Sequence, residues 1–240
     1  MNSFPAGFGR LPAPDPLDAL AERLMRGAAV TGALGAAATP EDRAALLTAL
    51  AARYLLAPGA VTASVVGTGR AVRAQLDALT RHVPDVTHVA VRVLDGVPVH
   101  RDLVDRLDRS GVGLCVTATA GEAVFGANLV VVTAFADPGT WPAHLPGGTL
   151  LVNASGHELP PAVTQPVDRL FVDDLALLRT ACRGSRPVAA DLRQVVAGER
   201  AGRTGADHVL LVELLTEEQQ PGQPEEDHAC RSRTTSSSSS

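Results

Sequence analysis

The sequence predicts an α/β fold, a doubly wound parallel sheet with helices on both faces. Three observations carry that prediction. Strand-like and helix-like segments alternate from Val61 onward. The strand-like segments are near-continuous runs of Val, Leu and Ala, the pattern of parallel strands buried on both faces. The first of them, in "SVVGTGRAVRAQLDAL" at residues 64–79, passes through a Gly-x-Gly turn straight into a helix.

Residues 1–16 are rich in Pro, Gly and Ala and are expected to lack regular structure. Asp15 or Asp18 is placed to cap the helix "PLDALAERLMRG", and Gly27 to stop it. In "TPEDRAALLTALAARYLLAPG" Thr39 suits the N-cap, Pro40 the first turn, and Glu41 and Asp42 the positive end of the helix dipole. Leu46, Leu50 and Tyr54 recur at i, i+4, i+8, so one face of this helix packs inward, and Pro58-Gly59 ends it.

"VTASVV" then reads as a strand, "RAVRAQLDALTRH" as a helix, "THVAVRV" as a second strand and "HRDLVDRLDRSG" as a helix closed by Gly111. "VGLCVTA" is a third strand, "GEAVFGA" a short helical turn and "NLVVVTA" a fourth strand. "GTLLVNAS" and "DRLFVDD" make a fifth and a sixth, most simply in the order 3-2-1-4-5-6. The end, "LLTEEQQPGQPEEDHACRSRTTSSSSS", is too polar to offset its ordering entropy and is expected to be disordered.

Composition excludes several chemistries. All 21 basic residues are Arg, so Schiff-base and lysine general-base mechanisms are closed. The net charge of −5 argues against nucleic-acid and anionic-membrane partners. Cys115, Cys182 and Cys230 are odd in number and far apart, which suits neither a disulfide framework nor a metal site. With no signal pattern and no membrane-length apolar run, a cytoplasmic protein is expected.

The carboxyl ends of the strands carry the candidate site. Gly67, Thr68 and Gly69 form a turn that brings backbone close to a pyrophosphate, with the Arg70 and Ala71 amides aimed at its oxygens. Val72 stands where a third small residue normally sits; the alternative is a purely structural turn. At the end of the second strand, Asp95 suits the ribose hydroxyls of NAD and Arg92 the 2′-phosphate of NADP, unless both are solvated loop residues. In "GTLLVNASGHELPP", Asn153, Ser155, His157 and Glu158 leave the fifth strand together. His157 or Glu158 is positioned to exchange a proton with an amine, or else both are loop residues. Asp173 and Asp174 lack a third metal ligand and suit helix capping; no metal is expected.

The order of these segments resembles the ornithine cyclodeaminase/mu-crystallin family. Four stretches carry the resemblance: "RAALLTALAARYLLAPGAVTASVVGTG", "GANLVVVTAFADP", "LPGGTLLVNASGHEL" and "VAADLRQVVAGERAGRTGADHV". Within the family, "NASGHELPPAVTQPVDRLFVDDLALL" looks most like the branch that oxidises N-(2-amino-2-carboxyethyl)-L-glutamate to 2,3-diaminopropionate and 2-oxoglutarate in siderophore and antibiotic pathways. The resemblance implies an NAD- or NADP-dependent oxidoreductase acting on an amino or imino acid. Arg43 would hold the substrate carboxylate, Glu158 would replace the catalytic aspartate, and Thr133 and Ala134 would line the nicotinamide side. The fourth helix-like stretch would be the family's returning helix.

The chain also departs from the family pattern. Only 66 residues precede the Gly-x-Gly turn, fewer than is usual, the substrate-binding lysine has no counterpart, and the family's closing segment is replaced by the polar tail. Asn128 replaces the usual acid of the fourth strand, and Ala71 a frequent glutamine. The expected organisation is a shortened, mostly helical substrate and dimerisation region over 1–57 and a dinucleotide-binding Rossmann domain over 58–184. A returning helical segment over 185–215 and a disordered tail over 216–240 complete it. Exposed apolar faces on the 40–57 helix would drive homodimerisation or association with another subunit. The competing function is a catalytically inactive nucleotide-binding remnant or regulatory partner.

Overall fold

The computed structural model describes residues 15–30, 33, 39–135, 141, 144–178 and 186–215. The readings made for residues 1–14, for the tail from 216 onward, and for Cys182 and Cys230 lie outside the described residues. The chain opens with α1 (Pro16–Met25) and α2 (Pro40–Leu55). Asp15 caps α1 by accepting from the Leu17 amide at 2.8 Å, and Gly27 stops it at φ +86°. Thr39 caps α2 through the Asp42 amide.

Next come β1 (Val61–Gly67), α3 (Gly69–His82), β2 (Val86–Val93), α4 (Arg101–Arg109), β3 (Gly113–Val116) and α5 (Ala120–Val124). They are followed by β4 (Leu129–Val132), β5 (Leu150–Asn153), α6 (Pro161–Thr164), β6 (Arg169–Val172) and α7 (Leu175–Leu178). The described chain closes with β7 (Val188–Asp191), α8 (Leu192–Val196) and β8 (Leu210–Glu213).

The strands form one parallel sheet in the order β3-β2-β1-β4-β5-β8-β6-β7. The expected 3-2-1-4-5 run is present, but β6 is not the neighbour of β5. β8 lies between them, pairing Leu150 to Leu210 on one side and Arg169 to Leu210 on the other. Residues 186–215, expected as a returning helical segment, therefore contribute two strands and the short α8. The physical reason is burial on both faces: Leu210, Leu211 and Val212 are all buried, and a central parallel strand removes so continuous an apolar run from water.

Two apolar layers enclose the sheet. One gathers Val61, Ala63 and Val65 of β1 with Leu50, Leu76, Leu103 and Leu192 from α2, α3, α4 and α8. The other gathers Val66, Val130 and Val132 with Ala123 of α5 and Val163 of α6. The alternation of β1 between layers is the two-residue period of a strand.

The apolar face of α2 is not left open, as the sequence suggested. Leu47, Leu50 and Leu55 are fully buried beneath α1, α3 and α8, with the stripe centred one residue off the Leu46/Tyr54 line. Asn128 ties β4 to β1: its Oδ1 accepts from Thr62 N at 3.0 Å while its Nδ2 donates to Ala60 O at 2.9 Å. A carboxylate could accept there but not donate, so the amide makes a pairing that an acid could not. Among the described residues no helix is long and apolar enough to cross a membrane.

Candidate functional site: the crevice at the carboxyl ends of β1, β4 and β5

α2 and α3 both enter from the carboxyl edge of the sheet, so two positive helix ends converge beside β1. The turn between β1 and α3 is the Gly67-Thr68-Gly69 triplet. Gly67 is required by close approach rather than by an unusual φ. A Cβ on it would sit 1.7 Å from Thr133 Oγ1 and 3.2 Å from the Ala134 amide. Thr133 N in turn donates to Val66 O at 2.8 Å, which locks the end of β4 against this turn.

Intrahelical bonding in α3 begins with Val72 N donating to Thr68 O. The Arg70 and Ala71 amides at N2 and N3 therefore stand outside the ladder, as donors aimed out of the helix. Val72, despite its bulk, is buried in the core between α3 and the sheet.

Asp95 and Arg92 part company. The Asp95 Oδ2 accepts from Gly69 N at 2.9 Å and its Oδ1 from Val97 N at 3.2 Å. The Gly69 amide bond holds this carboxyl below its ordinary pKa, so it stays an anion beside the turn. Val97 covers the same glycine, since a Cβ on Gly69 would lie 3.1 Å from Val97 Cβ. Arg92 pairs in register with Val66, between Val91 and Val93, which belong to the α3-side core. Its side chain therefore lies on the other face of the sheet.

Thr68, Ala71, Thr133, Ala154, Ser155 and Gly156 line a cavity of about 200 Å³ between the turn, the end of β4 and the loop after β5. Pro40, Glu41 and Ala44 of α2 and Gln75 of α3 complete it. At its mouth Glu41 and Arg70 form an ion pair at 3.3 Å.

Asn153 organises the neighbouring loop. Its Nδ2 donates to His157 O and to Glu213 Oε2, both at 2.7 Å, while its Oδ1 accepts from Ser155 N and Oγ. Its amide is thus engaged within the protein. His157 and Glu158 are exposed and do not line the cavity. Arg43 stands on the first turns of α2, with its Nε buried and without a hydrogen-bond partner. It too lies outside the cavity lining, so the structure brings Thr68 and Ala71 of the glycine turn and helix start together with Thr133 but does not bring Arg43 and Glu158 into that space.

Sequence reading missed Gln75, although a signal existed. Val72, Leu76 and Leu79 form the buried stripe of α3, and Gln75 is a polar residue on it. It also missed the burial of Asp173. That carboxylate accepts from the Asp174 and Leu215 amides at 2.9 Å each, yet burial outweighs them and pushes its pKa up to about 6. Asp174 takes the capping role, accepting from Ala176 N at 2.8 Å. Among the described residues, no group of three or more His, Cys, Asp or Glu is placed to hold a metal ion.

Comparison with known proteins places the fold among solved structures. Solved structures of similar fold include an archaeal alanine dehydrogenase dimer with bound NAD, at 19% identity and TM-score 0.58, over 73% of this chain and 58% of that one. CmnK matches at 24% identity and TM-score 0.56, over 73% and 56%. The iminosuccinate reductase of Paracoccus denitrificans in complex with NAD+ matches at 20% identity and TM-score 0.56, over 74% and 58%. The chain spans less than three fifths of the length of these proteins. No curated protein matches it in sequence. A family model matches residues 30–215, well over half of the chain, and the chain belongs to the ornithine cyclodeaminase/mu-crystallin family.

Proposed function

We propose that the chain binds NAD and serves an oxidoreductase that acts on an amino or imino acid. The observation that carries this reading is the Gly67–Gly69 turn, with two outward amides and an ionised Asp95 beside it, opening onto the β4–β5 crevice. The residues present fit a dinucleotide. Gly67 and Gly69 let the turn pack against Thr133 and Val97, and the Arg70 and Ala71 amides suit pyrophosphate oxygens. The Asp95 carboxylate suits a ribose diol and repels a 2′-phosphate, which favours NAD over NADP. Thr133 and Ala134 would flank the nicotinamide, and Asn153 acts by holding the 154–158 loop in place. The bound dinucleotide supplies a two-electron hydride carrier. The structures of related fold described in complex with NAD or NADH support the same reading.

The catalytic assignment rests on the family resemblance. Arg43 would hold the substrate carboxylate, with its Nε unpaired in the protein, and Glu158, with His157 beside it, exchanges the amine proton. The substrate proposed is N-(2-amino-2-carboxyethyl)-L-glutamate, oxidised to 2,3-diaminopropionate and 2-oxoglutarate, on the similarity of residues 153–178 to that branch. The separation of Glu158 from the cavity favours a second reading, a nucleotide-binding partner that turns nothing over alone.

Titration with NADH and NADPH tests the cofactor, and binding of neither overturns the proposal. Turnover assays with N-(2-amino-2-carboxyethyl)-L-glutamate, ornithine and cyclic imines then separate the two readings. Intact turnover in Glu158→Gln would remove the proton role.

A further inference from the structure

The cavity beside the cofactor turn ends on a polar group that the reading above does not use. Gln75 is only 1% exposed, lines the cavity, and its Oε1 has no hydrogen-bond partner. A buried carbonyl oxygen left unpaired is costly, so it calls for a donor that the chain itself does not supply. The same helix explains its placement: Gln75 stands one turn below Ala71, on the α3 face that meets α2.

The space around it selects the chemistry of the missing donor. Its walls are the cofactor turn at Thr68 and Ala71, the end of β4 at Thr133, and the Ala154–Gly156 backbone. The two groups assigned to the substrate, Arg43 and Glu158, are not among them. About 200 Å³ suits a single heteroaromatic ring with its substituent. An ammonium donor there would need a buried counter-charge, and Glu41, the cavity's carboxylate, is already paired with Arg70. A neutral amide N–H needs only an acceptor, which Gln75 provides.

We propose that Gln75 is a cofactor-reading residue whose Oε1 accepts a hydrogen bond from the carboxamide N–H of the nicotinamide. This rests on the NAD reading above and deepens it. Gln75 would orient the ring about its glycosidic bond, through an amide-to-amide contact at the α2–α3 seam, without taking part in proton transfer.

Calorimetric titration of the full chain with three ligands tests it: NAD, 3-acetylpyridine adenine dinucleotide and ADP-ribose. The acetyl analogue keeps the carbonyl but lacks the N–H donor, and ADP-ribose lacks the ring. The wild type is expected to prefer NAD over the acetyl analogue about tenfold, the worth of one buried hydrogen bond. Gln75→Met should erase that preference and leave ADP-ribose affinity within about twofold. Gln75→Leu, which also removes the acceptor oxygen, should do the same and serves where the methionine variant does not fold. An unchanged NAD-to-analogue ratio in the variant that folds overturns the assignment while leaving the cofactor site standing. Failure of all three ligands to bind the wild type overturns the cofactor reading and Gln75's role with it.

Discussion

The two ends of the sheet use the same residue type in opposite ways. At the amino end, Arg203 is saturated: its Nε donates to Leu55 O at 2.8 Å and its Nη2 to Gly148 O at 2.9 Å. Its Nη1 serves Gly205 O, Ala206 O and His208 O. One guanidinium thereby ties the end of α2 to the starts of β5 and β8. At the carboxyl end, the Arg43 Nε is buried and unmatched. In a chain without lysine, arginine must serve both as clamp and as ligand group, and the difference is whether the fold has already filled its donors. Saturation marks Arg203 as structural, whereas the Arg43 Nε is the donor that its proposed ligand role would use.

The largest expected effect comes from breaking the saturated end. Arg203→Met strands several carbonyls, and denaturant unfolding should show a loss of about 3 kcal/mol. Arg43→Met should change stability by less than about 1 kcal/mol, because no protein bond to Nε is lost. If Arg43→Met instead unfolds the chain as Arg203→Met does, the contrast between the two ends is wrong.

Asp173, at the carboxyl end of β6, gives the next effect. The folded chain holds its proton up to about pH 6, whereas the unfolded chain releases it near 3.8. The folded state therefore binds the extra proton between those values. The stabilisation is fully present below about pH 4 and is lost as pH rises through 6. Asp173→Asn keeps an acceptor for the Asp174 and Leu215 amides. It should raise stability at pH 8 by on the order of 2 kcal/mol and flatten this part of the pH profile. An unchanged profile between pH 4 and 7 would contradict the burial of that group.

The smallest effect on stability, and the most specific, belongs to the turn. Asp95→Asn removes the anion beside Gly69, and its readout is ligand choice. The ratio of NADH to NADPH affinity should fall about tenfold or more, measured by titration. An unchanged ratio would return the preference to the open question that Asp95 and Arg92 pose in the sequence.

The legible parts of the molecule were those with a local cause. Asp15, Thr39 and the Gly67 turn announce themselves because capping and close approach are short-range demands. β8 did not, since a run such as "VLLVEL" is compatible with a buried helix or a buried strand until a sheet offers it a slot. In the site, the position of the glycine turn was legible, but the engagement of the Asn153 amide and the exposure of Glu158 were not. Both depend on Glu213 and the loop geometry at β5, and Glu213 lies 60 residues away from Asn153.

The sequence by itself determined the strand–helix alternation, the position of the glycine turn and the exclusion of lysine chemistry, because each is written in neighbouring residues. Only the tertiary structure decided that β8 parts β5 from β6, that Asp95 rather than Arg92 meets the turn, and that Gln75 ends in the crevice. Those outcomes come from packing α2 against α3 and closing a parallel sheet, where partners distant in sequence settle which donors are filled and which stay open.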